Sequence, residues 1–417
     1  MLVRRLVAAA CLYSLSIVAW GAVTASEYKQ RRQKFRQLTG PAVTVLFGAT
    51  EKERGDLRST FRQESNFYYL TGWSEPGAIL ILTPNEDILL VPKRDAEEEK
   101  WTGPKLAPGD PKIRSLTGCD KVLPAEDFEA RLPEWLAAAR RVYSLRPQED
   151  VRLARFVPTR EIRDAAPLLA KLRMVKSEAE IELIRKATEI TMEAHRGAWK
   201  RIRPGVYEYQ VAAAMSNAYF DKGCDRHAYP PIVGSGPNAT ILHYNRNTRK
   251  MDAGELVLMD VGAECSMYAS DITRTVPVSG KFTPRQRELY EIVLGAQKAA
   301  LAAARPGVML RTGPGSLHEI ALQYLNTHGK DKHGQPLGKY FTHGLGHHVG
   351  LDVHDATDPL LPLEPGMVIT LEPGLYIPEE NIGIRIEDMV LITKDGARLL
   401  SAGLPREADE IERAMAQ

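Results

Sequence analysis

The sequence predicts an α+β protein in two units, a smaller α/β unit followed by a larger one carrying an internal repeat. Three observations support this. Short apolar runs bounded by Gly, Pro and Asn alternate with helical patterns between residues 42 and 145. Two long helical patterns further on each end in RPGV, at 203–206 and 305–308. Each is followed by an apolar strand ending on a carboxylate, Asp260 in GELVLMDVG (254–262) and Glu372 in GMVITLEPG (366–374). A second carboxylate follows each strand, Asp271 and Glu387, and three matches in the same order indicate a duplicated helix–strand–hairpin unit.

The chain has 417 residues, 44% hydrophobic and 26% charged, enough for two folded cores. Its first 25 residues stand apart. Arg4 and Arg5 precede an apolar run from Leu6 to about Val23, and Val23-Thr24-Ala25 offers the small residues a signal peptidase reads. A secretory signal over 1–25 is expected, with export to the periplasm or medium; an uncleaved anchor is the alternative. Losing Arg4 and Arg5 leaves 53 basic against 53 acidic residues, so nothing points to nucleic acid. No later segment could span a membrane. The mature chain keeps Cys119, Cys224 and Cys265 without a Cys-x-x-Cys pair. Buried inert thiols are expected, with room for one disulfide.

The first unit is expected over 27–165. It opens with a charged helix at Glu27–Leu38. Strands are expected at 42–48, 67–70, 77–83, 87–92 and 142–145, and a helix at about 126–140. DAEEEK (95–100) reads as a solvated helix start. The second unit is expected over 176–400. Its first helix, Lys176–Lys200, lines up Ile181, Ile184, Thr188, Thr191 and His195, so His195 reads as a core histidine. Its counterpart starts at Pro284, with Thr283 as N-cap.

The chemistry lies in the repeat. A second carboxylate follows each strand, Asp271 in ASDITRTVPV and Glu387 in IGIRIEDMVLI. Four acids in buried strands repel one another and need a cation. Arginine pairing by Arg274 or Arg385 is one answer; divalent metal is the other. Two metals a few ångströms apart can bridge and activate a water. An oxygen-rich set suits Mn, Fe or Co better than a closed zinc site. The nitrogen can come from HGLGHHVGLDVHD (343–355), which holds four of the ten histidines. Its glycines make a helix doubtful, and it is not the His-Glu-x-x-His of helical zinc proteases. His243 in LHYN (242–245) is an isolated signal.

Residues 254–279, 343–355, 372–376 and 383–388 together resemble the Xaa-Pro aminopeptidase and prolidase family of pita-bread metallopeptidases (M24). SNFYYLTGWSEPGAILIL (65–82) is similar in character to that family's N-terminal domain, of aminopeptidase P/creatinase type. The resemblance implies a pita-bread catalytic domain with a pseudo-twofold repeat, behind an α/β domain. It implies two divalent metal ions, Mn²⁺ first, with Co, Fe or Zn as alternatives. It makes Asp260 a ligand, Asp271 and Glu387 bridges, His347 the one imidazole ligand, and Glu372 both ligand and proton carrier. His243 and His354 match histidines that assist catalysis. His343 matches a position bordering the pocket after the scissile bond, and Tyr376 and Arg385 match residues that order the site. His348 departs from the pattern and is expected on an exposed strand face.

The implied reaction is removal of the residue ahead of a proline, by a metal-bridged hydroxide. The partners expected are proline-containing peptides, with no nucleic acid and no membrane after signal cleavage. A homo-oligomer, dimer or tetramer, is also expected. Prolidase is the nearest alternative, methionine aminopeptidase a further one, and an inactive binding relative the most distant.

Overall fold

The computed structural model describes residues 22–51, 61–137, 139–145, 151–157 and 161–416. Nearly all of the expected signal therefore lies outside the described residues.

Helix α1 (Ala25–Thr39) leads into a six-stranded mixed sheet. Its strands are β1 (Val43–Phe47), β2 (Ile79–Leu82), β3 (Asp87–Val91), β4 (Lys121–Pro124), β5 (Arg141–Ser144) and β6 (Glu161–Asp164). They lie in the order β4-β3-β2-β1-β5-β6. β1–β3 form an antiparallel meander, and β4 and β5–β6 join in parallel on either side. The central strands are continuous apolar runs because both faces are covered. One expected strand is a helix. FYYL belongs to α2 (Ser65–Thr71). Glu64 caps its start through the Phe67 N–H, and Gly72 ends it in the left-handed conformation. Two caps and the burial of Phe67 and Leu70 on one face override the β preference of aromatic residues. The helix expected at 126–140 is shorter, α3 (Phe128–Leu136), after a 3₁₀ turn.

The larger unit has the pita-bread architecture. Helix α4 (Glu178–Trp199) opens with a capping box between Ser177 and Glu180. Strands β9 (Leu256–Val261) and β12 (Ile272–Pro277) pair antiparallel, with Asp260 opposite Thr273. In the second half, α6 (Pro284–Ala303) starts from the Thr283 cap, and β13 (Val368–Leu371) pairs antiparallel with β16 (Asp388–Thr393). Between α4 and β9 lie α5 (Glu208–Asp221), β7 (Arg226–His227) and β8 (Ile232–Ser235). Strands β10 (Ala263–Cys265) and β11 (Tyr268–Ala269) fill the first hairpin, and β14 (Gly374–Ile377) and β15 (Ile382–Arg385) the second. Antiparallel pairing puts the end of β9 beside the start of β12, and the end of β13 beside the start of β16. The halves meet where Glu387 N–H donates to the Thr273 carbonyl at 3.1 Å.

His195 is fully buried, as expected, with Nε2 3.1 Å from the Ile272 carbonyl. The inert-thiol expectation holds only for Cys119, which is buried and free. Cys224 and Cys265 form a disulfide. β7 pairs with β10, Glu264 opposite Arg226, which brings the two cysteine Cα atoms to 4.3 Å. No helix among the described residues is long and apolar enough to cross a membrane.

Candidate metal centre

The four acids converge at the meeting of the two hairpins. Asp260 comes from β9, Asp271 from the residue before β12, Glu372 from the residue after β13 and Glu387 from the residue before β16. With His243, His343, His347, His354 and Arg385 they line one cavity of about 510 Å³. Tyr376 is buried behind that wall.

His347 faces the acids. Its Nδ1 lies 3.1 Å from the His348 carbonyl, which can only accept, so Nδ1 carries the proton and Nε2 is left for ligation. Nε2 is 3.3 Å from Asp271 Oδ2 and 3.4 Å from Glu372 Oε1. Asp271, His347 and Glu387 each offer a ligand atom, all within 4.8 Å of one another. Burial pushes the Asp271, Glu372 and Glu387 carboxyls upward and their neighbouring acids add to it, taking Glu372 to about 7. Burial alone would lower His347, but Asp271 and Glu372 outweigh it and raise it to about 9. A pocket that resists its own negative charge and concentrates acid and imidazole donors fits divalent cations.

The arginines divide their work. Arg385 pairs with Asp260, while Arg274 pairs with Asp388 at 2.6 Å and meets Glu387 only at its backbone carbonyl, at 2.6 Å. Arginine pairing thus answers for one acid. Arg385 also donates to Tyr376 Oη at 2.8 Å, and Tyr376 meets His343 Nε2 at 2.8 Å. His343 Nδ1 donates to the Gly344 carbonyl, so the Tyr376 hydroxyl donates to Nε2 and the relay runs from Arg385 to His343. Burial, with nearby cations, holds His343 and His354 near 4, so both are neutral at neutral pH. The His354 ring packs 4.2 Å from that of His347. His243 is exposed to the cavity from an irregular loop.

His348 corrects an expectation. It is buried, not exposed, and its carbonyl accepts from the Asp355 N–H at 2.9 Å. The chain turns it away from His347's side into a layer covered by the returning 351–355 loop, and it does not line the cavity.

Several site residues carried no expectation. The hydroxyl of half-buried Tyr229 bridges Asp260 and Asp271. Thr273 Oγ1 donates to Glu387 at 2.7 Å, and Thr370 Oγ1 to Glu372 at 3.1 Å. The threonines had a signal. Each stands two residues from a ligand acid, on the same strand face. Tyr229, in AYPP, had none.

Residues 182–394 match the model of metallopeptidase family M24. The chain belongs to family M24. Residues 28–143 match the aminopeptidase P N-terminal domain. The Xaa-Pro aminopeptidase of Haemophilus influenzae is 38% identical over 93% of this chain and 97% of its own length. Human Xaa-Pro aminopeptidase 3 is 36% identical over 94% of this chain and 86% of its own. The structure of aminopeptidase P from E. coli with the inhibitor Pro-Leu superimposes with a TM-score of 0.83 at 32% identity, covering 94% of this chain and 98% of that one. This M24 metallopeptidase is a hydrolase whose family implies divalent metal ions.

Proposed function

We propose that this M24 peptidase removes the N-terminal residue from peptides with proline in second place. The observation that carries the reading is the convergence of Asp271, His347 and Glu387 within 4.8 Å in a cavity that Asp260 and Glu372 also line. Relatives named Xaa-Pro aminopeptidase along nearly the whole chain support it. Two divalent ions held by Asp260, Asp271, His347, Glu372 and Glu387 would supply the activated water and polarise the carbonyl.

The chain's own residues do the rest. A pre-proline bond is a tertiary amide, so its nitrogen leaves only if it gains a proton. Glu372, between His347 and the cavity, is placed to carry that proton. His354, neutral at neutral pH, and His243 supply donors to the oxygen where charge develops. His343, held by Tyr376 and Arg385, borders the space for the proline ring.

Mn²⁺ is the proposed metal because the set is mostly oxygen, with Co, Fe and Zn as the alternatives to compare. Export behind a cleaved signal is supported by the Cys224–Cys265 disulfide, a bond favoured in oxidising compartments. A homo-oligomer is supported by large apolar side chains left in solvent, Trp101 at 89% and Leu360 at 78% exposure.

The deciding experiment compares Xaa-Pro with Xaa-Pro-Yaa-Zaa in Mn²⁺. Release of Xaa from the tetrapeptide supports the aminopeptidase. Cleavage of the dipeptide alone makes the chain a prolidase.

A further inference from the structure

We propose that Arg311 is a specificity residue, a carboxylate anchor that reads the C-terminus of short peptide substrates. The inference rests on the aminopeptidase reading and adds to it a preferred substrate class, peptides that end in a free carboxylate within the cavity.

Arg311 lines the same cavity as the four acids. It stands on the loop between α6 and α7 (Leu317–His328). The other arginines at the site are committed. Arg385 pairs with Asp260, Arg274 with Asp388, and Arg173 with Asp352 and Asp355. Arg311 has no carboxylate partner among the described residues. Among the described residues, its guanidinium makes one hydrogen bond, from Nε to the Gly346 carbonyl at 2.6 Å. That bond fixes the guanidinium and leaves its two terminal NH₂ groups without a protein partner among the described residues.

The seat is built for it. The guanidinium lies against Gly344, where a Cβ would come within 2.7 Å of Nε and 2.9 Å of Cζ. Glycine at 344 gives the planar group its room. The same bond ties it to HGLGHH, the stretch that carries His343 and His347. A cation oriented through Nε presents its outer edge, the geometry that meets a carboxylate with two parallel bonds.

Substrate chemistry then selects the ligand. The N-terminus of the peptide goes to the metal centre. Its C-terminus is the one group every peptide carries that is anionic and planar. Arg311 lines the cavity with His343 and lies against the adjacent Gly344, on the side expected to hold the residues after the scissile bond. A cavity of about 510 Å³ is of the size that encloses one small ligand, so the end of a di- to tetrapeptide still lies within it. A longer chain passes Arg311 as neutral backbone.

The test uses Mn²⁺-loaded wild type and Arg311→Gln, with Xaa-Pro, Xaa-Pro-Yaa and Xaa-Pro-Yaa-Zaa, each as free acid and as C-terminal amide. KM and kcat are measured separately, with metal content as a control. The expected result is a KM lower by about tenfold or more for the acid at one of these lengths, the scale of a lost charge-assisted pair. In Arg311→Gln the acid and amide KM values become equal, and Arg311→Lys restores part of the gap. Equal KM for acid and amide at every length in wild type overturns the proposal. So does a preference that survives in Arg311→Gln, or an equal fall for both forms with the gap intact, which marks a purely structural role. Were no peptide cut, the aminopeptidase reading would fail by itself. Calorimetric binding of the acid and amide tripeptides to the loaded protein then still tests the anchor, with the same acid preference expected and equal affinities contradicting it.

Discussion

At the scale of the residue, the histidine run separates into roles by what each ring faces. His347 spends Nδ1 on a carbonyl and turns Nε2 to the acids, whereas the neighbouring His348 is buried elsewhere. Glu387→Ala is expected to lose bound metal and activity together, measured by metal analysis beside the peptide assay. His348→Ala is expected to lower Tm while keeping full metal content; loss of metal there would overturn the assignment within the run. Tyr229→Phe removes the hydroxyl shared by Asp260 and Asp271. Groups that orient ligands in this way are worth roughly 10–100-fold in metal affinity, and a loss of that size is expected in a Mn²⁺ titration. The four acids could be read from the sequence because a carboxylate at either end of a buried apolar strand is costly and hence conspicuous. Tyr229 could not, since a tyrosine becomes a site residue only through the loop geometry that delivers it.

At the scale of the element, the duplicated pattern of helix, strand and second carboxylate was visible because each copy keeps its spacing. What escaped was where the first unit touches the second. Arg173 and Lys176, on the segment joining the units, hold Asp355 in a buried ion cluster, with Lys176 at 3.0 Å. Arg62 and Ser65 of the first unit reach Asp352 on the same loop. That loop carries His354. Such pairings join residues from 179 to 290 positions apart, and no local pattern announces them. Asp355→Ala leaves the buried Lys176 without its carboxylate and Arg173 with Asp352 alone, which costs about 3–5 kcal/mol. A fall in Tm of matching sign is expected in thermal unfolding, with a larger loss in kcat than in KM because His354 loses its support. α2 teaches the converse. Its aromatic run has the composition of a strand, and its flanking residues, Glu64 and Gly72, cap it as a helix.

At the scale of the whole molecule, the site sets how stability responds to pH and metal. Without metal, Glu372 is raised to about 7 and His347 to about 9. In both cases the folded chain binds more protons than the unfolded one. For Glu372, folding therefore weakens as pH rises from the ordinary carboxyl range to about 7. For His347, stability is present below its ordinary value of 6.5 and is lost as pH rises through about 9. The lowered histidines, His343, His348 and His354, act the other way but only below that ordinary value. The expected outcome is a metal-free Tm that falls between about pH 6.5 and 9, and a Mn²⁺-induced gain in Tm that grows over the same range, read by calorimetry. A gain that shrinks with pH would contradict it. Reduction of Cys224–Cys265, which closes a loop of 41 residues, is expected to cost roughly 4 kcal/mol, read as a lower Tm under reducing conditions. The proposed chemistry is cleavage of the bond before proline with two divalent ions in the oxygen-rich centre. It is tested most directly by titrating metal-free protein with Mn²⁺ while following release of Xaa from Xaa-Pro-Yaa-Zaa. Activity that appears with metal and saturates at two equivalents per chain is the expected result; full metal binding with no release, or release from metal-free protein, would contradict it.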